Sequence, residues 1–422
     1  MKFTTAADTD RTLIRAAAPS TRYVRFSLTT PDAPRERGRL PLNVSLVLDR
    51  SGSMGGGKFD LAREAAHKAL DLLKADDRFS VVVYDTEIDL LTGSTAATGD
   101  ARRVARDRLA EVGPRGSTNL CGGWLRGCEQ VGLGMTPDAI GRCLLLTDGL
   151  ANVGITDGNE LRRHAGELRA RGVATSTFGI GADFDERLLQ GMADASGGHF
   201  YYLQEAQQIP DILASEMGEA LEVVARDVRL MVSVPAGVTV ESLNRYRVRQ
   251  EDGGSAIMLD DLVSGQETEV ILALTFPRGR AGANFRAVLS LTDRDGALDV
   301  ADQTVEWTYA THAENDRQPR NVAVDRVVAR QYAGRARTDA GERNREGNLD
   351  GAREVLRATA RRITEYANGD RELLLLVREL ERQSEEYSAR ALSRQELKEG
   401  VFANYLVAMD RTVDGRARRA RK

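Results

Sequence analysis

Two rhythms of apolar and polar residues divide the chain. Strict alternation runs through "RYVRFSLTT" near the start and returns in "RDVRLMVSV", "ETEVILALTF" and "ANFRAVLSLTD". Successive strand side chains point to opposite faces, so this pattern predicts strands with one face in a core and the other in water. The turn clusters "PAG", "EDGG", "PRGRAG" and "DRDG" separate them at short intervals, the texture of an antiparallel β-sandwich. Between 40 and 223 the rhythm changes. Continuous apolar runs, "NVSLVLD", "RFSVVVYD", "RCLLLTD", "ATSTFGI" and "HFYYL", alternate with helix-length amphipathic segments. In "ELRRHAGELRARG", Leu161, Ala165 and Leu168 recur at helical spacing and Gly172 supplies the stop. Strands apolar on both faces with helices between them predict a parallel α/β sheet, doubly wound.

After about residue 318 strand signals cease. "NLDGAREVLRATARRITEYA" puts Leu349, Ala352, Leu356, Ile363 and Tyr366 on one stripe; "RELLLLVRELERQSEEY" and "RQELKEGVFANYLVAMDR" predict two further helices. The expected organisation is therefore N-terminal sandwich strands (1–39), an inserted α/β domain (40–223), the remaining sandwich (224–315) and an all-α region (316–422). The closing "GRARRARK" reads as a solvated basic end, with docking to an acidic surface as its alternative.

Length, 422 residues, calls for more than one core. A net charge of −4 with arginines scattered along the chain gives no global case for a nucleic-acid partner. "MKFTTAADTDRTLIRAAAP" has no apolar signal-peptide core, no run is long enough for a membrane span, and three cysteines form no even framework. A cytoplasmic location is expected. Cys121 and Cys128 share a helix face with Trp124, and Cys143 opens an apolar strand, so packing accounts for all four.

One stretch carries two competing chemistries. In "LVLDRSGSMGGGKFD", Gly52 to Lys58 spell most of a phosphate-binding loop, while Asp49, Ser51 and Ser53 form a D-x-S-x-S set of hard oxygen donors. A phosphate loop needs Ser or Thr after its lysine to ligate Mg²⁺; here Phe59 follows. The nucleotide alternative keeps one support, the "CLLLTD" strand with its terminal Asp148. The donor-set reading uses more of the chain. Asp49 and Asp148 both end apolar strands, and Thr118 stands in "RGSTNL" before an amphipathic helix. Strand ends at the switch point of a doubly wound sheet are where ligands collect. The four histidines do not cluster with this motif, which leaves a metal-assisted hydrolase without a base. "GIGADFDE" lacks the third glycine of a phosphate turn, and Asp183 with Glu186 reads as a helix capping box.

D-x-S-x-S after a first strand, Thr in a G-S-T-N-L loop and Asp in L-T-D-G together resemble the metal-ion-dependent adhesion site of von Willebrand factor A domains. Residues 40–223 are similar to bacterial members related to calcium-activated chloride channel regulators and inter-alpha-trypsin inhibitor heavy chains. The resemblance implies that Ser51, Ser53 and Thr118 contact a cation through hydroxyls and that Asp49 and Asp148 act chiefly through bound waters. All-oxygen ligation suits Mg²⁺ or Mn²⁺ ahead of Ca²⁺. The implied function is non-enzymatic: a partner protein's Asp or Glu completes the metal shell. By the same analogy the partner would be an AAA+ ATPase or a kinase or phosphatase signalling protein. A degenerate nucleotide site, a metal-dependent hydrolase and a metal-independent scaffold are the alternatives.

Overall fold

The alternation at the start of the chain folds into β1 (Thr4–Thr9), β2 (Leu13–Arg15) and β3 (Ser20–Thr29) of a computed structural model that describes residues 2–32 and 39–419. Along β3 every second residue is buried, as its sequence pattern requires. The chain forms two compact units, Met1–Pro34 with Val224–Lys422, and Arg35–Val223.

The second unit runs β4 (Leu42–Asp49), α1 (Lys58–Leu72), β5 (Arg78–Tyr84), β6 (Ile88–Ala96), α2 (Gly99–Ala110), α3 (Leu120–Leu133), β7 (Ile140–Thr147), α4 (Gly158–Ala170), β8 (Val173–Ile180), α5 (Glu186–Ser196), β9 (Phe200–Leu203) and α6 (Ile209–Ala220). Its sheet has the order β6-β5-β4-β7-β8-β9. β4, β7 and β8 are buried along their whole length, the signature of parallel strands covered on both faces. The sheet is not purely parallel. β6 pairs antiparallel with β5 at the edge, through two register irregularities, and its "IDLLTGSTA" is too rich in Thr, Ser and Gly to stand out as a strand. From β4 the chain first winds one way to β5 and later the other way to β7, so a crevice opens beyond the ends of β4 and β7.

α3 lies unusually close to the sheet. A Cβ on Gly123 would collide with the Tyr84 ring, and one on Gly127 with Val47 Cγ2. Trp124, fully buried, donates its indole N–H to Thr175 Oγ1 at 3.0 Å. Cys121, Cys128 and Cys143 are buried and unpaired, and burial pushes the Cys143 thiol well up. The cap of α5 differs from expectation: Asp185, not Asp183, accepts from the Leu188 N–H at 3.0 Å, because Phe184 turns into the core just before it.

The first unit continues with β10 (Val223–Ser233), β11 (Thr239–Ser242), β12 (Arg247–Glu251), β13 (Gly254–Val263), β14 (Glu267–Phe276), β15 (Asn284–Thr292) and β16 (Gln303–Ala310). Two sheets result, β1-β3-β14-β11 and β12-β13-β10-β15-β16-β2. Phe26, Leu28 and Leu272 of one share a core with Leu230, Ile257 and Trp307 of the other. The helices are α7 (His312–Arg317), α8 (Val322–Arg345), α9 (Leu349–Ala367), α10 (Arg371–Ala389) and α11 (Arg394–Ala408). α8 had no legible stripe because two of its faces are buried. Val324, Val327 and Val328 meet Leu243 and Ile271 of the sheet region, while Ala329, Ala333, Ala336 and Ala340 meet α9 and α10. The basic end is not simply solvated. Ala417 is buried, Glu267 donates its N–H to Arg418 O at 2.9 Å, and Arg418 pairs with Asp410 at 3.0 Å. The last three residues of that end, and the boundary segment 33–38, lie outside the described residues. No helix among the described residues is long and apolar enough to cross a membrane.

Candidate functional site

β4 delivers Asp49 to its carboxyl end, where the chain turns through a short 3-10 segment, Gly52–Met54, toward α1. The turn needs left-handed backbone at Gly56 and Gly57, with φ of 67° and 94°. Asp49 is fully buried; its Oδ1 accepts from the Ser51 N–H at 2.8 Å and its Oδ2 from the Thr147 hydroxyl at 2.6 Å. Burial lifts its carboxyl to about 6, against those hydrogen bonds, and the negative charge of Asp148 adds to the lift.

From Ser51 the site continues as a chain of oxygens. The Ser51 and Ser53 hydroxyls lie 3.1 Å apart, and Ser53 donates to Asp148 Oδ1 at 2.5 Å. Asp148, 1% exposed, follows the last residue of β7. Its other oxygen accepts from Lys58 Nζ at 2.6 Å, and the same ammonium donates to Ser53 O at 3.2 Å. Thr118 precedes α3. Its side chain adjoins the same point, since a Cβ on Gly149 would lie 3.3 Å from Thr118 Oγ1 and 3.7 Å from Ser53 Oγ. Thr118 is 3% exposed, yet its hydroxyl has no hydrogen-bond partner among the described residues.

The structure thus joins Ser51, Ser53 and Asp148 directly, ties Asp49 to them through Ser51 and Thr147, and sets Thr118 beside Gly149. The surrounding loops are knitted by backbone bonds: Gly52 N–H to Gly116 O, and the Asn152 and Val153 N–H groups to Thr118 O, all at 3.1–3.2 Å. Arg50 and Arg115 both pair with buried Asp85, at 3.0 and 2.8 Å, bracing the loop that carries Thr118. Thr147, Lys58, Arg50, Asp85 and Arg115 were not anticipated. Lys58 had a signal in the sequence, but only as a phosphate-loop lysine; Phe59 beside it is core. Leu150, half exposed, stands on the rim two residues past Asp148.

Elsewhere in this unit, His199, Glu216 and Glu219 bring potential ligand atoms within 4.8 Å of one another. Glu216 there already accepts from Tyr201 Oη at 2.6 Å and from Ser176 Oγ, and faces His199 Nδ1 at 3.0 Å. That is a satisfied buried carboxylate, under the far edge of the sheet from β6.

Residues 43–215 match the sequence profile of the von Willebrand factor type A domain. The α/β unit is a von Willebrand factor type A domain. The A domain and its flanks are 26% identical over 294 residues to the uncharacterized protein YfbK of Escherichia coli K12, covering 67% of this chain and 50% of that one. They are 29% identical over 294 residues to inter-alpha-trypsin inhibitor heavy chain H1 of Sus scrofa, covering 67% and 32%. The match thus spans half or less of these relatives' own length. The solved structure of a von Willebrand factor type A protein from Catenulispora acidiphila superposes with a TM-score of 0.73 at 17% identity, over 99% of this chain and 97% of that one. That likeness extends the shared fold beyond the A domain to the sheets and helices that flank it.

Proposed function

We propose that the A domain is a divalent-metal-dependent protein-binding module whose adhesion site comprises Asp49, Ser51, Ser53, Thr118 and Asp148. The carrying observation is a crevice with two buried carboxylates, from β4 and β7, linked by serine hydroxyls and faced by one ammonium, that of Lys58. Two carboxylates against one lysine leave a negative charge that burial makes costly, and a hard dication would offset it. The donors fit Mg²⁺ or Mn²⁺: all are oxygens, and no His or Cys is among them. The lone hydroxyl of Thr118 supports the same reading. When bound, the cation supplies Lewis acidity toward a carboxylate.

The chain's own residues do the rest. Thr147 fixes the Asp49 carboxylate, Ser53 and Lys58 orient Asp148, and the Arg50–Asp85–Arg115 pairing holds the Thr118 loop in register. Leu150 offers the partner an apolar contact beside the acidic one, so we read the ligand as an Asp or Glu flanked by a hydrophobic residue. The carboxylates and serine hydroxyls of the crevice are engaged with one another and no histidine is among them, so binding rather than catalysis is the function we assign. The chain organisation we favour is an A domain inserted into a β-sandwich with a helical C-terminal part. Its three buried, unpaired thiols suit a reducing compartment such as the cytoplasm.

Calorimetric titration with Mg²⁺ tests the site, with saturable 1:1 binding expected for the wild type and none for Thr118→Ala. Partner capture repeated with Mg²⁺, with EDTA and with Thr118→Ala tests the role. Partners retained in all three would move the binding surface off this site.

A further inference from the structure

Away from the A domain, the sheet and helix unit contains a cavity of about 330 Å³ lined by five arginines: Arg11, Arg15, Arg22, Arg320 and Arg362. They come from opposite ends of the sequence, so no local charge run announces them. Glu365 is the one carboxylate among the described lining residues. Arg11, Arg15 and Arg320 each hold a carboxylate that does not line the cavity: Asp10 at 3.2 Å, Asp316 at 2.7 Å and Asp325 at 2.6 Å. Arg22 and Arg362 have no carboxylate within ion-pair distance among the described residues.

Arg22 is the telling member. It is 3% exposed, and its Nε donates to Leu13 O at 2.7 Å, one Nη to Thr21 O at 2.7 Å and the other to Asn315 Oδ1. A guanidinium has five N–H donors, so two remain beyond these three bonds. Burial, and after it the neighbouring Arg11, push its pKa down to about 10, while the charge of Asp10 pulls the other way. Tyr366 forms another part of the wall, with the Arg320 guanidinium stacked 4.7 Å above its ring.

We propose that this cavity binds a small diphosphate-bearing anion, either inorganic diphosphate or the diphosphate of a metabolite. Planar guanidinium forks match phosphate oxygens bidentately; Arg22 and Arg362, without a carboxylate, call for two negative charges, and Arg11 and Arg15, each tied to its carboxylate through one nitrogen, keep N–H donors for a second phosphate. A cavity of this volume takes a small molecule rather than a nucleic-acid duplex or a folded partner.

The test is isothermal titration of the full chain in EDTA at low salt, so that no metal-bridged anion at the adhesion site contributes. Inorganic diphosphate should bind 1:1, at least tenfold tighter than orthophosphate, and weaken with added salt. Arg362→Gln, at an exposed residue, and Arg15→Gln, at a half-buried one, should each weaken it at least tenfold, while Thr118→Ala leaves it unchanged. ADP binding no tighter than diphosphate assigns inorganic diphosphate as the recognised group. ADP binding at least tenfold tighter, with the gain lost in Tyr366→Leu, assigns a nucleotide. Absence of saturable binding at millimolar diphosphate overturns the proposal, as does binding that both arginine variants leave intact.

Discussion

Asp49→Asn should stabilise the protein when metal is withheld and destabilise it, relative to wild type, when metal is supplied. The folded carboxyl titrates at about 6 against 3.8 for the free group, mainly because it is buried. Its proton is therefore held more tightly in the folded than in the unfolded state. The resulting stabilisation is fully present below pH 3.8 and is lost as pH rises through about 6. Above that, the ionised carboxylate burdens the native state by about 3 kcal/mol. Asparagine removes the charge at equal size, but it cannot accept both the Ser51 N–H and the Thr147 hydroxyl, which costs about 1 kcal/mol. A net gain of about 2 kcal/mol at pH 8 in EDTA corresponds to a rise of about 4–8 °C in the transition of a unit this size. The advantage should vanish near pH 4.5, where the wild-type carboxyl is itself mostly protonated. With Mg²⁺ at about a hundred times its dissociation constant, wild type gains about 2.7 kcal/mol that the variant lacks, and the order reverses. Thermal melts of both proteins across pH, in EDTA and in Mg²⁺, give the measurement. A variant no more stable than wild type at pH 8 in EDTA would refute the view of Asp49 as a destabilising charge held for a cation.

Lys58→Met should raise Mg²⁺ affinity about tenfold by calorimetry, since removing a cation that shares Asp148 relieves about 1–2 kcal/mol of repulsion; weaker binding would mean that the lysine organises the site instead of competing for it. Thr118→Ala should abolish Mg²⁺ binding while shifting stability in EDTA by less than about 0.5 kcal/mol, because its hydroxyl has no hydrogen-bond partner among the described residues. Gly127→Ala should destabilise the A domain by about 2–3 kcal/mol in thermal melts, as its methyl must displace Val47 from under α3; an unchanged melt would show that the helix can lift away from the sheet.

Some of this was legible in the residues alone because the information is local. Asp49, Ser51 and Ser53 lie within five positions of one another, and a strand that ends there carries all three to one edge of the sheet. The parallel sheet was legible because strands covered on both faces must be apolar throughout. Alternation exposed β3, β10 and β15 for the opposite reason, having one drier face and one wetter; β14 alternates in part but buries both faces along its middle, with Ile271 and Ala273 packed against the valines of α8.

What escaped depends on partners distant in sequence. α8 looks patternless because it buries two faces, one of valines against a sheet and one of alanines against helices, so neither stripe dominates. Thr147 is an ordinary strand residue until β7 sets it against Asp49, and Lys58 is a phosphate-loop lysine until α1 turns its ammonium onto Asp148. The arginine cavity joins residues 11 and 362. A sequence specifies the chemistry each residue carries and the local geometry its neighbours permit. Which charges share a space, and which of them lack a counterion, is settled only when burial brings distant segments together and strips away the water that would have screened them.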